Sequence, residues 1–240
     1  MNEAGSVLLS VRAEARQLVA PDYAVLDGHI EITAGSKAEA VQSVAVAVDR
    51  LTAELGALGG VPFDQESHRH ALTWSAYSTG THEERYHDKE TGRAVRSGQV
   101  TATAALRLTV RDLDLLDALS RVLAAHHDLN QDSVTWHVDW DNPAWPQVRA
   151  DAIRAAIGKA RDYASALGAA IQHVEHVADA GLLGSETGGY DVRHAPSRAM
   201  AAMGGSAGEP AGSVLTPVPQ ELVAIIDARV RATGVSRLEG

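Results

Sequence analysis

The most regular pattern of apolar residues lies between residues 36 and 60. These side chains recur at spacings of three or four, the repeat of one face of an α-helix. They are Val41, Val44, Val48, Leu51, Leu55 and Leu58. Ser36 and Glu39 form a capping box before the pattern, and Gly59-Gly60 follows it as a stop signal. The sequence therefore predicts an amphipathic helix that packs on a sheet.

Two further helices are predicted later in the chain. One runs from about Leu113 to His126-His127, and the other runs from about Pro146 to Leu167. The latter carries alanines four residues apart, at Ala152, Ala156, Ala160 and Ala164. Small residues at this spacing share one face, so another stretch of backbone is expected to approach that face closely.

Alternating apolar and polar residues predict several β-strands. The strand ranges are 6–18, 22–34, 67–79, 99–111, 134–140, 171–178 and 222–232. Ala20-Pro21-Asp22 has turn chemistry and predicts that the first two strands pair. In the second of them, the even positions form the more apolar face. The polar stretch at 81–98 predicts a long hairpin loop.

These elements give an α+β fold of antiparallel strand pairs with helices packed on the sheet, in the order ββα-ββα-βα-ββ. One domain is predicted over residues 1–180 plus 213–234. Between these parts, residues 181–212 hold 8 of the 21 glycines and predict a flexible insertion. Residues 235–240 form a tail.

Composition narrows the classes of function. The 240 residues carry 21 Lys and Arg against 31 Asp and Glu, a net charge of −10, which argues against a nucleic-acid partner. The chain has no cysteine, which removes disulfides and thiolate chemistry. Since no apolar run reaches the roughly 18 residues of a spanning helix, no membrane span is expected. Met1-Asn2-Glu3 lacks the basic start of a secretory signal, so a cytoplasmic location is expected.

Eleven histidines raise the question of metal binding, because imidazole is a frequent metal ligand. His68 and His70 would lie on one face of a strand and are the candidate metal ligands; a solvated strand face is the alternative. His173 and His176 are three apart, which would place them on opposite faces of a strand. His126-His127 would complement the helix dipole at a C-terminus.

His137 and Asp139 share the polar face of a strand and form a candidate acid–base pair for a hydrolase. No serine is assigned to a nucleophile elbow between a strand and a helix, and the glycines match neither a phosphate loop nor a dinucleotide fingerprint. Hence neither catalytic residues nor a cofactor are predicted. Trp136, Trp140 and Trp145 are interpreted as core residues, with ligand stacking as the alternative.

With these elements placed, the sequence resembles the SIMPL domain (DUF541) family, which includes bacterial periplasmic immunogenic proteins and a kinase-associated signalling protein. The likeness rests on Pro21-Asp22-Tyr23-Ala24, Ala38-Glu39-Ala40 and Val110-Arg111-Asp112-Leu113-Asp114. It is strongest in the alanine-repeat helix that closes on Leu167-Gly168.

The resemblance implies an α+β fold, homo-oligomers in some members and no established enzymatic activity, with links to stress tolerance in some. We therefore expect a non-enzymatic, self-associating protein that is an oligomeric scaffold or a stress-related factor, with a further protein partner left open. The alternatives are a ligand- or metal-binding module that uses surface histidines and the 81–98 loop, and a hydrolase.

Overall fold

The structure is a computed structural model that describes residues 5–64, 66–87, 92–180, 182 and 215–234. The elements in chain order are β1 (Ser6–Val19), β2 (Tyr23–Ala34), α1 (Lys37–Ala57), β3 (Val61–Pro62), β4 (Leu72–His87), β5 (Ala94–Val110), α2 (Leu116–Ala125), β6 (Leu129–His137), α3 (Trp145–Ala166), β7 (Ala170–Asp179) and β8 (Gln220–Thr233). Short 3-10 helices, Ser67–Arg69 and Leu113–Leu115, precede β4 and α2. The predicted α+β class is confirmed. None of the described helices is long and apolar enough to cross a membrane.

The chain forms two compact units. Among the described residues, the first unit comprises 5–19, 140–180 and 219–234, and the second comprises 20–139 and 215–218. Each unit has a sheet of its own. The organisation of residues 1–180 plus 213–234 as one domain stays a prediction. The predicted insertion at 181–212, apart from residue 182, and the tail at 235–240 lie outside the described residues.

The first unit is a three-stranded antiparallel sheet in the order β1-β8-β7, with α3 on one face. Ala152, Ala156 and Ala160 of α3 are fully buried, and Ala156 and Ala160 pack with Val11 and Val230. The close approach expected from the alanine spacing is confirmed. The predicted pairing of the first two strands is wrong, because β1 pairs with β8 along its whole length.

The second unit is a five-stranded sheet in the order β3-β4-β5-β2-β6, antiparallel except for the short β3–β4 pair. The core forms where α1 and α2 pack on the even positions of β2, such as Leu26 and Ile30. The Ser36 half of the capping box is present, since Ser36 accepts a hydrogen bond from the Glu39 N–H at 3.3 Å. The second unit therefore covers one face of its sheet with helices.

The predicted loop at 81–98 is wrong for most of its length. β4 continues to His87 and β5 begins at Ala94, so Thr81 lies opposite Ala102 and Glu83 opposite Val100. Residues 88–91 lie outside the described part. Most described residues in this part of β4 and β5 are exposed on both faces of the strand pair. A strand pair exposed on both faces needs no apolar side, so its sequence lacks the apolar alternation that indicates a half-buried strand.

Candidate functional site

Three strand ends meet at one end of the five-stranded sheet. Tyr23 begins β2, and antiparallel pairing places it opposite His137 at the end of β6. Ala24 lies opposite Val110, the last residue of β5, so Arg111 follows directly beside them. Asp22 and Asp139 lie next to these ends in the chain. We name this group of five, Asp22, Tyr23, Arg111, His137 and Asp139, the Arg111 cluster.

Direct contacts join the Arg111 cluster. The rings of Tyr23 and His137 are stacked, with centroids 4.8 Å apart and planes at 15°. Arg111 Cζ lies 4.5 Å from the centroid of the Tyr23 ring, a cation–π distance. Arg111 Nη1 donates to Asp139 Oδ2 at 2.7 Å, and the Asp139 N–H donates to Asp22 Oδ2 at 2.8 Å. The guanidinium of Arg111 thus contacts the Tyr23 ring and also forms an ion pair with Asp139.

Partial burial governs the charges of the Arg111 cluster. Desolvation lowers the pKa of His137, against the opposing effect of the Asp139 charge, so the imidazole is mainly neutral at pH 7. Burial raises the pKa of Tyr23, with a further contribution from Asp139. The side chains of Arg111 and Asp139 are only 26% and 28% exposed. Their ion pair is therefore less screened than one on an open surface.

Arg111 also lines a cavity of about 220 Å³, which we name the Thr73 cavity. Its lining residues are Phe63, Asp64, Ser67, His68, Thr73, Thr109 and Arg111. Arg111 Nε is buried and donates to no acceptor among the described residues. A buried donor without an acceptor costs free energy.

A local hydrogen-bond network orders one wall of the Thr73 cavity. The Asp64 N–H donates to Ser67 Oγ at 2.6 Å, and the Glu66 N–H donates to Asp64 Oδ1 at 2.8 Å. These bonds fix the start of the 3-10 helix Ser67–Arg69, which carries His68 to the cavity. The turn from Asp64 to Ser67 therefore forms this wall of the Thr73 cavity.

The placement of His68 and His70 on a strand face is wrong. His68 lies within the 3-10 helix and His70 caps its end, because the Asp64–Ser67 turn delays β4 until Leu72. The structure brings His68, but not His70, into the Thr73 cavity lining. The described residues contain no group of three or more His, Cys, Asp or Glu side chains placed to hold a metal ion. Metal binding by His68 and His70 stays a prediction.

The candidate pair His137 and Asp139 both lie in the Arg111 cluster. The Asp139 carboxylate accepts from Arg111, while the His137 ring is stacked on Tyr23. Asp139 acts on His137 through its charge, as the pKa effect shows. The Asp139 carboxylate is therefore bound by Arg111.

The expected separation of His173 and His176 onto opposite faces is wrong. β7 carries two irregularities in its pairing with β8, and these place His173 opposite Arg231 and His176 opposite Arg229. Because Arg229 and Arg231 are two apart on a regular strand, their partners share one face. Glu175 lies between the histidines and accepts from Arg231 Nε at 2.6 Å.

His126 caps the C-terminal end of α2, as expected, and its side chain is 5% exposed. Nε2 lies 3.2 Å from Glu54 Oε2, although the angle is not that of a good hydrogen bond. The contact lowers the pKa of Glu54. His126 and His127 also line an open cavity of about 300 Å³ beside α1.

The three tryptophans have different surroundings. Trp136 packs partly buried against the core of the second unit, as predicted. Trp140 follows β6 and is 84% exposed, so its assignment to the core is wrong. Trp145 begins α3 with the Arg149 guanidinium 5.3 Å from its ring centroid.

Tyr23 and Arg111 were not singled out from the sequence as site residues. Each stands in a motif that carries the family resemblance, Pro21-Asp22-Tyr23-Ala24 or Val110-Arg111-Asp112. The signal in the sequence was that the first motif lies where one strand begins and the second lies where another strand ends. Only the pairing of β2 with β5 shows that the two motifs are neighbours.

Comparison with protein-family models identifies the family of the chain. A family model described as "SIMPL: Protein of unknown function (DUF541)" matches residues 9–233, which span the strands and helices of both units. No curated protein matches the chain.

Proposed function

The chain belongs to the SIMPL (DUF541) family, whose function is unknown, and from that premise we propose that it is a non-enzymatic protein that associates with copies of itself. Its role in this proposal is that of an oligomeric scaffold or a stress-related factor. A further protein partner is compatible with the same role.

One observation carries the proposal. In the described part of the chain, the three-stranded sheet has β1 and β7 as its outer strands, and each pairs only with the central β8. An outer strand presents a row of backbone N–H and C=O groups that can pair with another chain. β-Strand addition is a common mode of protein association. A second copy of the chain would extend this sheet.

The experiment is a mass measurement in solution. Size-exclusion chromatography with light scattering, over a range of protein concentrations, should give masses at multiples of 25.3 kDa. The mass should rise with concentration if the association is reversible. A constant 25.3 kDa species at micromolar and higher concentrations would refute self-association.

The non-enzymatic part of the proposal is supported by the ion pair in the Arg111 cluster, in which the Asp139 carboxylate already accepts a hydrogen bond from Arg111. The competing proposal is a hydrolase that uses His137 and Asp139. A screen of ester, phosphate and peptide substrates tests it: turnover that is lost in His137→Gln would favour the hydrolase.

A second candidate function, small-ligand binding, is favoured by the Thr73 cavity, because the charged side chain of Arg111 is part of its lining. Melting curves with small carboxylates test this function. Melting with zinc, nickel or copper tests the metal alternative at His68 and His70, because binding to the native state raises its stability. Arg111→Lys should abolish any rise in melting temperature caused by carboxylates. His68→Ala should abolish any rise caused by metal ions.

A cytoplasmic location and the absence of a nucleic-acid partner remain proposals. The net charge of −10 supports the absence of a nucleic-acid partner. Cell fractionation and a gel-shift assay with mixed DNA and RNA would check them.

A further inference from the structure

The two outer strands of the three-stranded sheet differ in regularity. β7 pairs with β8 through two irregularities, and bulges of this kind blunt an edge against further pairing. β1 pairs with β8 from Ser6 to Val19 without a register shift. Within the described residues, β1 is therefore the longer and more regular edge for another strand.

The side chains along β1 are ordered so that two antiparallel copies of this strand would complement each other. The face away from α3 carries Leu8, Ser10, Arg12, Glu14, Arg16 and Leu18. Two antiparallel copies of β1, related by a two-fold axis at Ala13, would place Leu8 opposite Leu18 and Arg12 opposite Glu14. Each of these pairs would occur twice by symmetry. On the other face, Val11 would lie opposite Ala15.

Neighbouring registers fit less well. A two-fold axis perpendicular to the sheet must pass through a residue, so that side chains on the same face meet. An axis at Arg12 places two arginines opposite each other. An axis at Glu14 places two glutamates opposite each other and Arg12 opposite Arg16. Like charges in opposite positions destabilise a strand pair.

Two-fold axes two residues away from Ala13 also pair fewer residues of the two strands. An axis at Ala13 pairs residues 7–19. An axis at Ala15 places Glu14 opposite Arg16, but it pairs only 11–19 and leaves Arg12 opposite Leu18. An axis at Val11 pairs 6–16 and makes no pair of opposite charges. The Ala13 register therefore combines the longest overlap with opposite charges.

The existing contacts of β1 are compatible with such pairing. Arg12 is held by Asp227 at 2.6 Å, and Glu14 accepts from Arg16 at 3.0 Å. A second copy would extend this row of alternating charges. Leu8 and Leu18, now 41% and 69% exposed, would cover each other. One contact must be exchanged, since the Arg12 carbonyl accepts from Lys159 Nζ at 3.3 Å.

We propose that β1 of one copy pairs antiparallel with β1 of a second copy, about a two-fold axis at Ala13, to form a continuous six-stranded sheet. This inference rests on the proposed self-association and specifies its interface. The partner is a second copy of this chain, and the charge order of β1 together with the length of the overlap selects the register.

Cysteine cross-linking tests the register, because the chain has no cysteine of its own. Facing Cα atoms of antiparallel strands lie about 4.5–5.5 Å apart, within the range that a disulfide spans. Ala13→Cys should therefore give a covalent dimer with a mild oxidant such as oxidised glutathione. Ala15→Cys is the matched control, being the same substitution on the same face. Its two copies would be roughly 13 Å apart, at about 3.3 Å for each residue along the strand.

A charge exchange tests the specificity. Arg12→Glu places carboxylates opposite each other and should weaken association by about three- to thirtyfold. Arg12→Glu combined with Glu14→Arg restores opposite charges across the interface and should recover most of that loss. Circular dichroism checks that both variants fold.

The outcomes separate the two proposals. A chain that stays monomeric, with no Ala13→Cys cross-link, overturns self-association and this interface together. An oligomer in which Ala13→Cys does not cross-link, or in which Ala15→Cys cross-links equally well, overturns only the interface. Failure of the charge exchange to rescue association also overturns the register.

Discussion

The half-buried ion pair of the Arg111 cluster should stabilise the second unit measurably. Arg111→Met removes the 2.7 Å bond to Asp139 and the cation–π contact with Tyr23. A hydrogen bond between charged groups contributes about 1.5–3 kcal/mol, and a cation–π contact about 0.5–2 kcal/mol. Because both groups are about a quarter exposed, we expect the lower part of the sum, about 2–4 kcal/mol.

A double-mutant cycle isolates the pair. Asp139→Asn should cost about 1–2 kcal/mol, and the cycle with Arg111→Met should give a coupling energy of about 1–2 kcal/mol. A control cycle on the exposed pair Arg96–Glu83, at 3.1 Å, should give a much smaller coupling, since water and salt screen it.

The assay must report on the second unit alone. Trp74 and Trp136 lie in that unit, whereas Trp140 and Trp145 lie in the other. A Trp140→Phe and Trp145→Phe background leaves urea unfolding of the second unit as the fluorescence signal. A coupling energy below about 0.5 kcal/mol would refute the reasoning, because it would match a solvent-screened surface pair.

Three further predictions concern stability. Ala156→Leu should overpack the α3–sheet contact and destabilise the first unit by about 1–3 kcal/mol or more, whereas Ala155→Leu on the exposed face should leave its melting temperature nearly unchanged. Ser36→Ala removes the cap of α1 and should cost about 0.5–2 kcal/mol in urea unfolding, while Ser36→Asp should retain most of the stability. Burial lowers the folded pKa of His137 below the unfolded value near 6.5, so the unfolded state binds the proton first as the pH falls. The contribution of neutral His137 to the free energy of unfolding is therefore lost as the pH falls below about 6.5. His137→Gln should flatten that part of a curve of stability against pH. The control His127→Gln, at an exposed histidine, should leave the curve unchanged.

Local signals predicted the helices well. Ser36, Glu39 and the glycines after Leu58 act within one or two helical turns, so their effects are visible in a short stretch of sequence. The alanines of α3 likewise report their own burial by their spacing. The class of the fold follows from these elements together with the alternation of the strands.

Strand partners could not be predicted in the same way. The turn at Pro21-Asp22 suggested a hairpin, but β1 pairs with β8, more than 200 positions later in the chain. The Arg111 cluster depends on such distant pairing, which is why Tyr23 and Arg111 were missed. The irregularities in β7 also escape prediction, because an extra residue in a strand changes which positions share a face without changing the composition.

The charges of β1 have two physical consequences that are easily confused. Charged residues on an outer strand discourage indiscriminate pairing, because most registers bring like charges together or leave a charge opposite an apolar residue. The order Arg12, Glu14, Arg16 discourages most registers, yet a two-fold axis at Ala13 turns it into attraction. An outer strand without charges would pair in several registers of similar free energy. The same alternation can therefore protect this sheet from unrelated strands and still select a second copy of itself, because specificity requires penalties for the wrong partners as well as contacts with the right one.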